Sequence, residues 1–574
     1  MIARALPWLT ALLATLAFLP ALGAGFVNWD DEVTFLANPH YRGLGPTQIQ
    51  WMLTTTLLGH WSPLTWLTWG ANYAVGGLDP FGYHLVNVLL HTVNIALFGW
   101  LARALLAHGF SAPPSSPGVV AGAVCAALVF GAHPLRAESV AWLSDRRDVL
   151  CATFALAATL AWLRGRRVLS VTAYGAALLS KASVMTVPLV WLLLDIYPLR
   201  RTPLGWRALV REKLPHLALA AAAGVVAFAT RQQIGGITDF QRYGAEARAA
   251  LIGHALWFYP SKTVWPVDLA VGYELPRQIA LTDPRFLLPA LAALAITVAL
   301  IVLRRRWPAG IVAWAALIVT LLPTSGLIHS GEQFAADRYA YLSCLGLALL
   351  AGAALTPAVR RPGWRVAAPA LAAVIFIALG VATWHQTGTW RDSETLWRHA
   401  VRVHPQCALC ESNLGRVIAR PGRFAEAEAH IQRALALRPD RPGAHENLGV
   451  VLRAQGRHAE AHASFVRVVA LRPAHASSRL NLGVSLATLG RDDDAEREFR
   501  EAERLSPTLS LAPANLGALY LRQQRPDAAI PPLERAVGLD PTRADPRVML
   551  TQAYAMTGRT ADAERQIRIL RTMR

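Results

Sequence analysis

Asp30, Asp31 and Glu32 form a run of three carboxylates directly behind the first apolar segment of the chain. Carboxylates at the point where a chain leaves a lipid bilayer are costly to desolvate, so in an apolar protein they indicate a functional site. Adjacent carboxylates also repel one another, which raises the pKa of one of them and suits it to accept a proton. The run therefore predicts a general base, although the same residues would also cap a helix beginning near Val33.

A tryptophan-rich stretch follows the carboxylates and contains Trp51, His60, Trp61, Trp66 and Trp69. Amphipathic helices of this composition lie at the surface of a bilayer. We expect them to form the wall of a site that is wet on one side and lipidic on the other.

A second charged stretch lies between the apolar segments 118–132 and 149–163. It begins at His133 and mixes three arginines with three acids: Arg136, Glu138, Asp145, Arg146, Arg147 and Asp148. Arginine offers a fork of donors to phosphate oxygens, so the stretch predicts an anion site. The alternative is a set of ion pairs that only brace the loop.

Two more cations are expected at the same level of the membrane. Lys181 lies at the turn between the apolar segments 168–180 and 183–197, and Arg338 lies in the stretch before segment 340–357. A single lysine there would be unremarkable because its long side chain can reach the interface. The convergence of cations from several loops is what predicts a phosphate site.

The sequence shows few motifs of other kinds of catalytic or binding site. The sequence contains no glycine-rich phosphate loop, no His/Cys metal constellation and no nucleophilic serine elbow. A divalent metal held by Asp30 or Asp31 together with His133 or Glu138 is conceivable, but the sequence does not require one.

The composition divides the chain into two regions. It is 54% hydrophobic and 16% charged with a mean hydropathy of +0.32, and the apolar residues are concentrated before residue 385. About eleven segments there are candidates for spanning helices: 6–25, 84–107, 118–132, 149–163, 168–180, 183–197, 214–230, 286–303, 308–324, 340–357 and 364–384. The stretch 246–264 is interrupted by charges and predicts an interfacial or re-entrant helix.

The basic residues of the apolar region predict its orientation. They cluster in the short connections at 164–167, 200–213, 304–306 and 360–365, which the positive-inside tendency places in the cytoplasm. The net charge of +19 therefore indicates membrane orientation, and we expect no nucleic-acid partner. The two charged loops and residues 385–574 would then all be extracytoplasmic. A cleavable signal peptide ending near residues 21–24 is the alternative for the first segment.

The polar region repeats every 34 residues. Asn-Leu-Gly recurs at 413, 447, 481 and 515, and a small residue stands at 427, 461, 495, 529 and 563. This period, with a proline closing most units, predicts five tetratricopeptide repeats that begin at Ala408, Pro442, Ala476, Ser510 and Ala544. A half-unit, 392–405, precedes them. Cys407 and Cys410 begin the array and would form either a local disulfide or two helical thiols.

The order of these motifs resembles a known family. The chain is similar to the transmembrane and tetratricopeptide repeat-containing O-mannosyltransferases and their bacterial relatives, within the GT-C superfamily. The motifs that carry the resemblance are Trp29-Asp30-Asp31-Glu32, the His133-Pro134-x-x-x-Glu138-Ser139-Val140-Ala141-Trp142 loop, Leu179-Ser180-Lys181, Asp337-Arg338-Tyr339-x-Tyr341-Leu342 and Trp390-Arg391-Asp392.

The resemblance implies an all-α fold with a polytopic GT-C-like domain, 1–384, followed by a repeat solenoid, 385–574. It implies inverting transfer of a sugar from a polyprenyl phosphate to a hydroxyl acceptor, on the extracytoplasmic face of a bacterial inner membrane. Asp31 would be the base, with Asp30 as the second choice, Glu32 beside them and Glu138 as a supporting acid. The phosphate binders would be Arg136, Lys181 and Arg338, with His133 beside them.

The repeats would present a protein acceptor, because such grooves bind extended or helical peptides. Two other functions stay open at this stage. One is a membrane-anchored scaffold for envelope assembly, and the other is a lipid-linked glycan ligase or transporter.

Overall fold

The computed structural model describes residues 2–233, 243–327 and 332–573. Within this part of the chain the secondary structure is helical, apart from a single β-bridge between Glu274 and Gln333. The chain divides into two compact units, Met1–His404 and Pro405–Arg574. The all-α prediction is confirmed.

The described residues of the first unit form seventeen α-helices, several of them joined by short 3-10 or π-helical turns. They are α1 Ile2–Thr15, α2 Pro46–Thr54, α3 Pro63–Gly76, α4 Pro80–Gly109, α5 Pro117–Gly131, α6 Ala137–Ala141, α7 Arg146–Leu163, α8 Arg167–Ser180, α9 Val187–Ile196, α10 Trp206–Gln233, α11 Ala245–Val264, α12 Pro284–Leu303, α13 Pro308–Leu321, α14 Ala340–Ser343, α15 Leu345–Ala358, α16 Ala367–Gly388 and α17 Ser393–Val403.

The apolar helices identify a membrane protein. Five stretches of the described chain are long and apolar enough to cross a bilayer: Ala5–Gly23, Pro80–Gly109, Trp206–Gln233, Pro284–Leu303 and Pro362–Gly388. Two bent pairs raise this number to seven, with angles of 56° at the end of α5 and 55° before α15. All eleven predicted apolar segments are helical. How many of them cross the bilayer, and in which direction, stays a prediction.

The predicted interfacial stretch is one continuous helix, α11. It packs on α12 along its length, and its buried residues include Leu251, Phe258 and Tyr259. The position of α11 relative to the bilayer surface stays a prediction.

The second charged loop is enclosed by the protein. Residues 133–146 are buried throughout, and only Arg147 among its three arginines is partly open. The reason is its conformation: the 3-10 turn Pro134–Arg136, the short helix α6 and the turn Leu143–Asp145 fold back among the ends of the surrounding helices. A buried loop must satisfy its own polar groups, which decides the roles of several predicted site residues.

The boundary between the units falls at His404 and Pro405, later than the predicted 384/385. Helix α17, interpreted from sequence as a half-repeat, packs against the first loop of the membrane unit. Ser393 Oγ accepts a hydrogen bond from Asn28 N (2.7 Å), and Trp397 Nε1 donates to Asn28 O (3.1 Å). These contacts assign the predicted half-unit to the first unit.

The second unit consists of ten helices in five pairs. They are α18 Ala408–Ile418, α19 Phe424–Leu437, α20 Pro442–Ala454, α21 His458–Leu471, α22 Ala476–Thr488, α23 Asp492–Leu505, α24 Leu511–Arg522, α25 Pro526–Leu539, α26 Ala544–Met556 and α27 Thr560–Thr572. The recurrent glycine allows the two helices of a pair to approach, because a Cβ at Gly449 would lie 2.8 Å from the Phe465 ring. Cys407 and Cys410 form a disulfide.

Candidate active site

Asp31 links the two charged loops of the membrane unit. Its side chain is 1% exposed. Oδ1 accepts hydrogen bonds from Ser144 N (3.1 Å) and Ser144 Oγ (2.6 Å), and Oδ2 accepts one from Val27 N (3.0 Å). Burial raises the pKa of Asp31 to about 7, against the effect of these hydrogen bonds. The carboxylate is enclosed and engaged by three donors, and its assignment as the base stays a prediction.

Asp30 is the accessible carboxylate of the pair. Its side chain is half-buried, and among the described residues no side chain donates a hydrogen bond to it. Burial raises the pKa of Asp30, while the charges of Arg147, Arg338 and Arg231 lower it. A carboxylate with a raised pKa and unused acceptor atoms can take a proton from a substrate. Neither Asp30 nor Asp31 caps a helix through its side chain, because the π-helical turn Glu32–Leu36 that follows has no side-chain cap.

Two cations near Asp30 are free of acidic partners in the part of the chain that the structure describes. Arg147 is partly open, and no side chain there forms an ion pair with it. Arg231 lies at the end of α10, where its Nη2 lies 2.6 Å from His60 Nε2. Since a guanidinium can only donate, His60 accepts through Nε2. Burial, followed by the charges of Arg147, Arg231, Lys181 and Arg338, holds the pKa of His60 well below its usual value.

Arg338, which also acts electrostatically on Asp30, forms a buried ion pair with Glu138. Glu138 is 3% exposed. Its Oε1 accepts from Arg338 Nη1 at 2.5 Å and its Oε2 accepts from the Arg338 backbone N at 2.9 Å. The Arg338 guanidinium also lies 5.4 Å from the centroid of the Trp142 ring and 4.9 Å from that of Tyr339. Glu138 thus pairs with a cation, and its role as a supporting acid in catalysis stays a prediction.

Lys181 pairs with two acids of the second loop. Its Nζ contacts Asp145 Oδ1 at 3.4 Å and also contacts Asp148 Oδ1, and Ser139 Oγ donates to Asp148 Oδ2 (3.2 Å). Burial and the neighbouring charge of Asp148 raise the pKa of Asp145 well above its usual value. Asp145 therefore holds its proton more readily than an ordinary aspartate does, and Lys181 lies between two acids of the same loop.

Arg136 and His133 bond backbone groups of the enclosed loop, and their assignment as phosphate binders stays a prediction. Arg136 is 1% exposed and donates to the carbonyls of Phe130 (3.3 Å) and Ala340 (2.6 Å). His133 donates from Nε2 to Thr263 O (2.9 Å) and accepts at Nδ1 from Leu135 N (3.2 Å). Both side chains satisfy buried backbone groups, as an enclosed loop requires.

Arg146 has the same kind of structural role. It is fully buried, and it donates to Asn87 Oδ1 (2.8 Å), Asn72 Oδ1 (2.5 Å) and Tyr83 O (2.8 Å). These bonds join the start of α7 to α3 and α4. The two interpretations of the second loop, anion binding and bracing, therefore apply to different arginines: Arg136 and Arg146 brace the loop, and Arg147 is free to bind.

The residues considered for a metal are mostly engaged elsewhere. The side chains of Asp31, His133 and Glu138 each form hydrogen bonds within the protein. Glu32, which was predicted beside the base and not as a metal ligand, is exposed to solvent. In the described part of the chain, no three His, Cys, Asp or Glu side chains are grouped as a metal ion would need.

An apolar cavity of about 480 Å³ opens beside Lys181 and Arg338. Its walls come from α4, α7, α9, α13 and α15, and its far end is lined by Arg306 and Trp307. The volume lies in the usual range of ligand pockets. A long apolar molecule with an anionic head fits this shape, with the head near the cations and the chain between the helices.

Arg147, Arg231 and His60 are candidate site residues to which sequence reasoning assigned no individual role. The rule that pointed to Lys181 and Arg338 would also have found Arg231. This residue follows the apolar segment 214–230, at the end opposite the basic connection 200–213, where cations are expected to be few. Arg147 was recognised as part of the second loop but was not separated from Arg146. That separation depends on which way each side chain leaves the start of α7.

Models of the tetratricopeptide repeat match residues 406–474, 446–510 and 520–571. The second unit is therefore a tetratricopeptide repeat array, as predicted.

Relatives of known name match both units. Protein O-mannosyl-transferase Tmtc1 of Drosophila melanogaster is 28% identical over 533 residues, which cover 72% of this chain and 59% of the fly protein. The chain is similar in sequence to the TMTC protein O-mannosyl-transferases. The human protein O-mannosyl-transferase TMTC4 is 25% identical and matches 71% of this chain and 63% of its own length. Tmtc3 of Drosophila is 25% identical over 65% of this chain and 48% of its own length. The chain thus spans about half to two thirds of these TMTC relatives.

Solved structures resemble only a part of the chain. MamA is 19% identical over 29% of this chain and 91% of its own, with a TM-score of 0.27. YrrB, described as a TPR protein with an unusual peptide-binding site, is 18% identical over 32% of this chain and 94% of its own, with a TM-score of 0.27.

Proposed function

We propose that this protein is a membrane glycosyltransferase that moves a sugar from a polyprenyl phosphate to a hydroxyl group, most simply a Ser or Thr of a protein. The observation that carries the proposal is the carboxylate of Asp30, which feels the charges of Arg147, Arg231 and Arg338 and has no ion-pair partner among the described residues. Of these arginines, Arg338 also lines the apolar cavity. The names of the TMTC relatives support the reaction type and make mannose the first sugar to test.

The cavity and the cations suit a lipid-linked donor. The polyprenyl chain would occupy the apolar cavity, and its phosphate would be bound by Arg147, Arg231 and Arg338. Arg338 is already balanced by Glu138, so the unpaired arginines supply most of the attraction. Guanidinium groups bind phosphate through paired, charge-assisted hydrogen bonds.

The chemical step needs a base and a stabilised leaving group. Asp30 takes the proton of the acceptor hydroxyl while that oxygen attacks the anomeric carbon of the sugar. The bond from this carbon to the phosphate oxygen breaks, and the electron pair leaves with the polyprenyl phosphate, whose charge the arginines stabilise. A single displacement inverts the anomeric configuration, forms no covalent intermediate and requires no cofactor or metal.

The same proposal includes an orientation in the membrane. The Asp30 group and the repeats would face the extracytoplasmic side of a bacterial inner membrane. The basic connections, including the one around Arg306 at the far end of the cavity, would face the cytoplasm.

The direct test is transfer by the full chain in lipid nanodiscs. Polyprenyl-phosphate mannose and a peptide containing Ser and Thr are supplied, and the peptide mass is followed. We expect addition of one hexose, no product with a nucleotide sugar as donor, and strong loss of product in the double variant Arg147→Gln, Arg231→Gln. Absence of transfer from a panel of polyprenyl-phosphate sugars, or equal activity of the double variant, would contradict the proposal.

A further inference from the structure

A second cavity, of about 380 Å³, lies between α7, α8 and α10 and has no part in the proposed sugar transfer. None of the residues that line it lines the cavity beside Lys181 and Arg338. Its walls include parts of the basic connections 164–167 and 200–213, together with the apolar side chains of Leu163, Val171 and Leu199. The cavity is therefore polar on one side and apolar on the other.

The charged residues around this cavity leave one positive charge unbalanced. Asp195 lies between two cations, with Oδ2 at 2.6 Å from Lys213 Nζ and Oδ1 at 3.1 Å from Arg201 Nη1. Arg201 Nη2 also lies 2.6 Å from Glu212 Oε2, so two cations are matched by two acids. Arg167, which lines the cavity at the start of α8, is exposed, and no acid of the described chain forms an ion pair with it. The cavity therefore suits an anion.

His216 offers the same cavity a buried hydrogen-bond acceptor. The side chain is 3% exposed, and its Nε2 lies 3.1 Å from Ser170 Oγ. Ser170 uses its single hydroxyl hydrogen on the carbonyl of Ala158 (3.1 Å), so Nε2 carries the proton and donates to Oγ. In the neutral ring Nδ1 then has a lone pair, and it has no partner among the described residues. A buried acceptor left without a donor is unfavourable, and a hydroxyl group of a ligand would satisfy it.

We propose that this cavity binds the headgroup of an anionic glycerophospholipid, a phosphodiester that carries a free hydroxyl. The phosphate pairs with Arg167, and the hydroxyl donates to His216 Nδ1. Leu169 and Leu214, next in sequence to cavity residues of α8 and α10, are exposed apolar side chains, against which the acyl chains can lie. Basic pockets between membrane helices are known to bind anionic lipid headgroups on the cytoplasmic side, where the positive-inside tendency places these connections.

Lipid binding by the full chain in detergent tests the inference without any sugar donor. Native mass spectrometry follows bound phosphatidylglycerol, with phosphatidylcholine as the zwitterionic comparison. We expect phosphatidylglycerol to bind about tenfold tighter, and Arg167→Gln to remove about tenfold of that affinity by deleting a charge-assisted hydrogen bond. The matched control, Arg164→Gln, removes the same charge from an exposed side chain of the same connection that does not line the cavity, and it should bind as the wild type does. Unfolding temperatures without added lipid check that both variants are folded.

Two further probes separate the headgroup hydroxyl and the lipid from simpler causes of binding. Phosphatidylmethanol has the charge of phosphatidylglycerol without the hydroxyl, and we expect it to bind about three- to tenfold more weakly to the wild type. Soluble glycerol phosphate should not displace the bound lipid at millimolar concentration, because it lacks the acyl chains. Equal binding of phosphatidylglycerol and phosphatidylcholine, equal losses in Arg167→Gln and Arg164→Gln, full binding of phosphatidylmethanol or displacement by glycerol phosphate would each overturn the inference. Because no sugar donor is present, these results leave the proposed transfer reaction to its own assay.

Discussion

Two neighbouring groups of charged residues in the membrane unit differ in whether their polar atoms are bonded inside the protein. In the enclosed group, Asp31, Arg136 and Arg146 have their polar atoms bonded inside the protein. In the open group, Asp30 and Arg147 have none of their charged atoms paired among the described residues, and Arg231 contacts only a neutral histidine. Residues adjacent in sequence fall in different groups: Asp30 and Asp31, and Arg146 and Arg147. The enclosed group holds the loops in place, and the open group is available to a substrate.

The strongest effect on folding is expected from the enclosed group. Arg146→Met removes donors from Asn87, Asn72 and the carbonyl of Tyr83 and leaves these buried groups unpaired. Each unpaired group costs about 1–3 kcal/mol, so we expect a large fall in unfolding temperature in detergent and low yield. The matched control, Arg147→Met, should fold as the wild type does. Equal unfolding temperatures for both variants would contradict the distinction between an enclosed Arg146 and an open Arg147.

A smaller effect, on donor binding, is expected from the open group. Arg147→Gln or Arg231→Gln removes charge-assisted hydrogen bonds to the phosphate, each worth about 1.5–3 kcal/mol. We expect the KM for the polyprenyl-phosphate sugar to rise roughly tenfold to a hundredfold, since about 1.4 kcal/mol is tenfold. The unfolding temperature should not change. A variant that lost stability but kept its KM would show that this arginine has a structural role, like the residues of the enclosed group.

The pH dependence of transfer gives a more modest signal. Because burial raises the pKa of Asp30 above its ordinary 3.8, a base at this position is protonated, and inactive, at a higher pH than an ordinary aspartate. We expect kcat/KM to fall as the pH is lowered through this raised pKa. Arg147→Gln removes a charge that lowers the pKa, so the acid limb should move to higher pH in that variant. If the acid limb did not move in Arg147→Gln, titration of Asp30 would not be the origin of the pH dependence.

The smallest effect is expected at His60, which only orients a cation. His60→Ala removes the acceptor that holds Arg231 Nη2, and we expect a rise in donor KM of about two- to fivefold, the worth of a modest hydrogen bond. His60→Gln can restore an acceptor and should recover most of the loss. If His60→Ala lowers kcat much more than it raises KM, the residue acts in the chemical step instead.

The sequence was informative where structure depends on local pattern. The apolar segments and the 34-residue period predicted the helices of both units, because each is a repeating or continuous feature of neighbouring residues. The sequence could not predict in the same way which charged residues are enclosed and which are open. Asp31 is enclosed because Ser144, 113 positions away, donates two hydrogen bonds to it. Likewise, α17 belongs to the membrane unit because Trp397 bonds the backbone of Asn28.

The most direct test of the account compares Asp30→Asn with Asp31→Asn in the same nanodisc assay, measuring kcat and unfolding temperature for each. We expect Asp30→Asn to lower kcat by about 10²- to 10⁴-fold, the usual contribution of a general base, with an unchanged unfolding temperature. Asp31→Asn should lower the unfolding temperature, while its folded fraction still transfers sugar. The reverse pattern, an inactive but stable Asp31→Asn beside an active Asp30→Asn, would contradict the account.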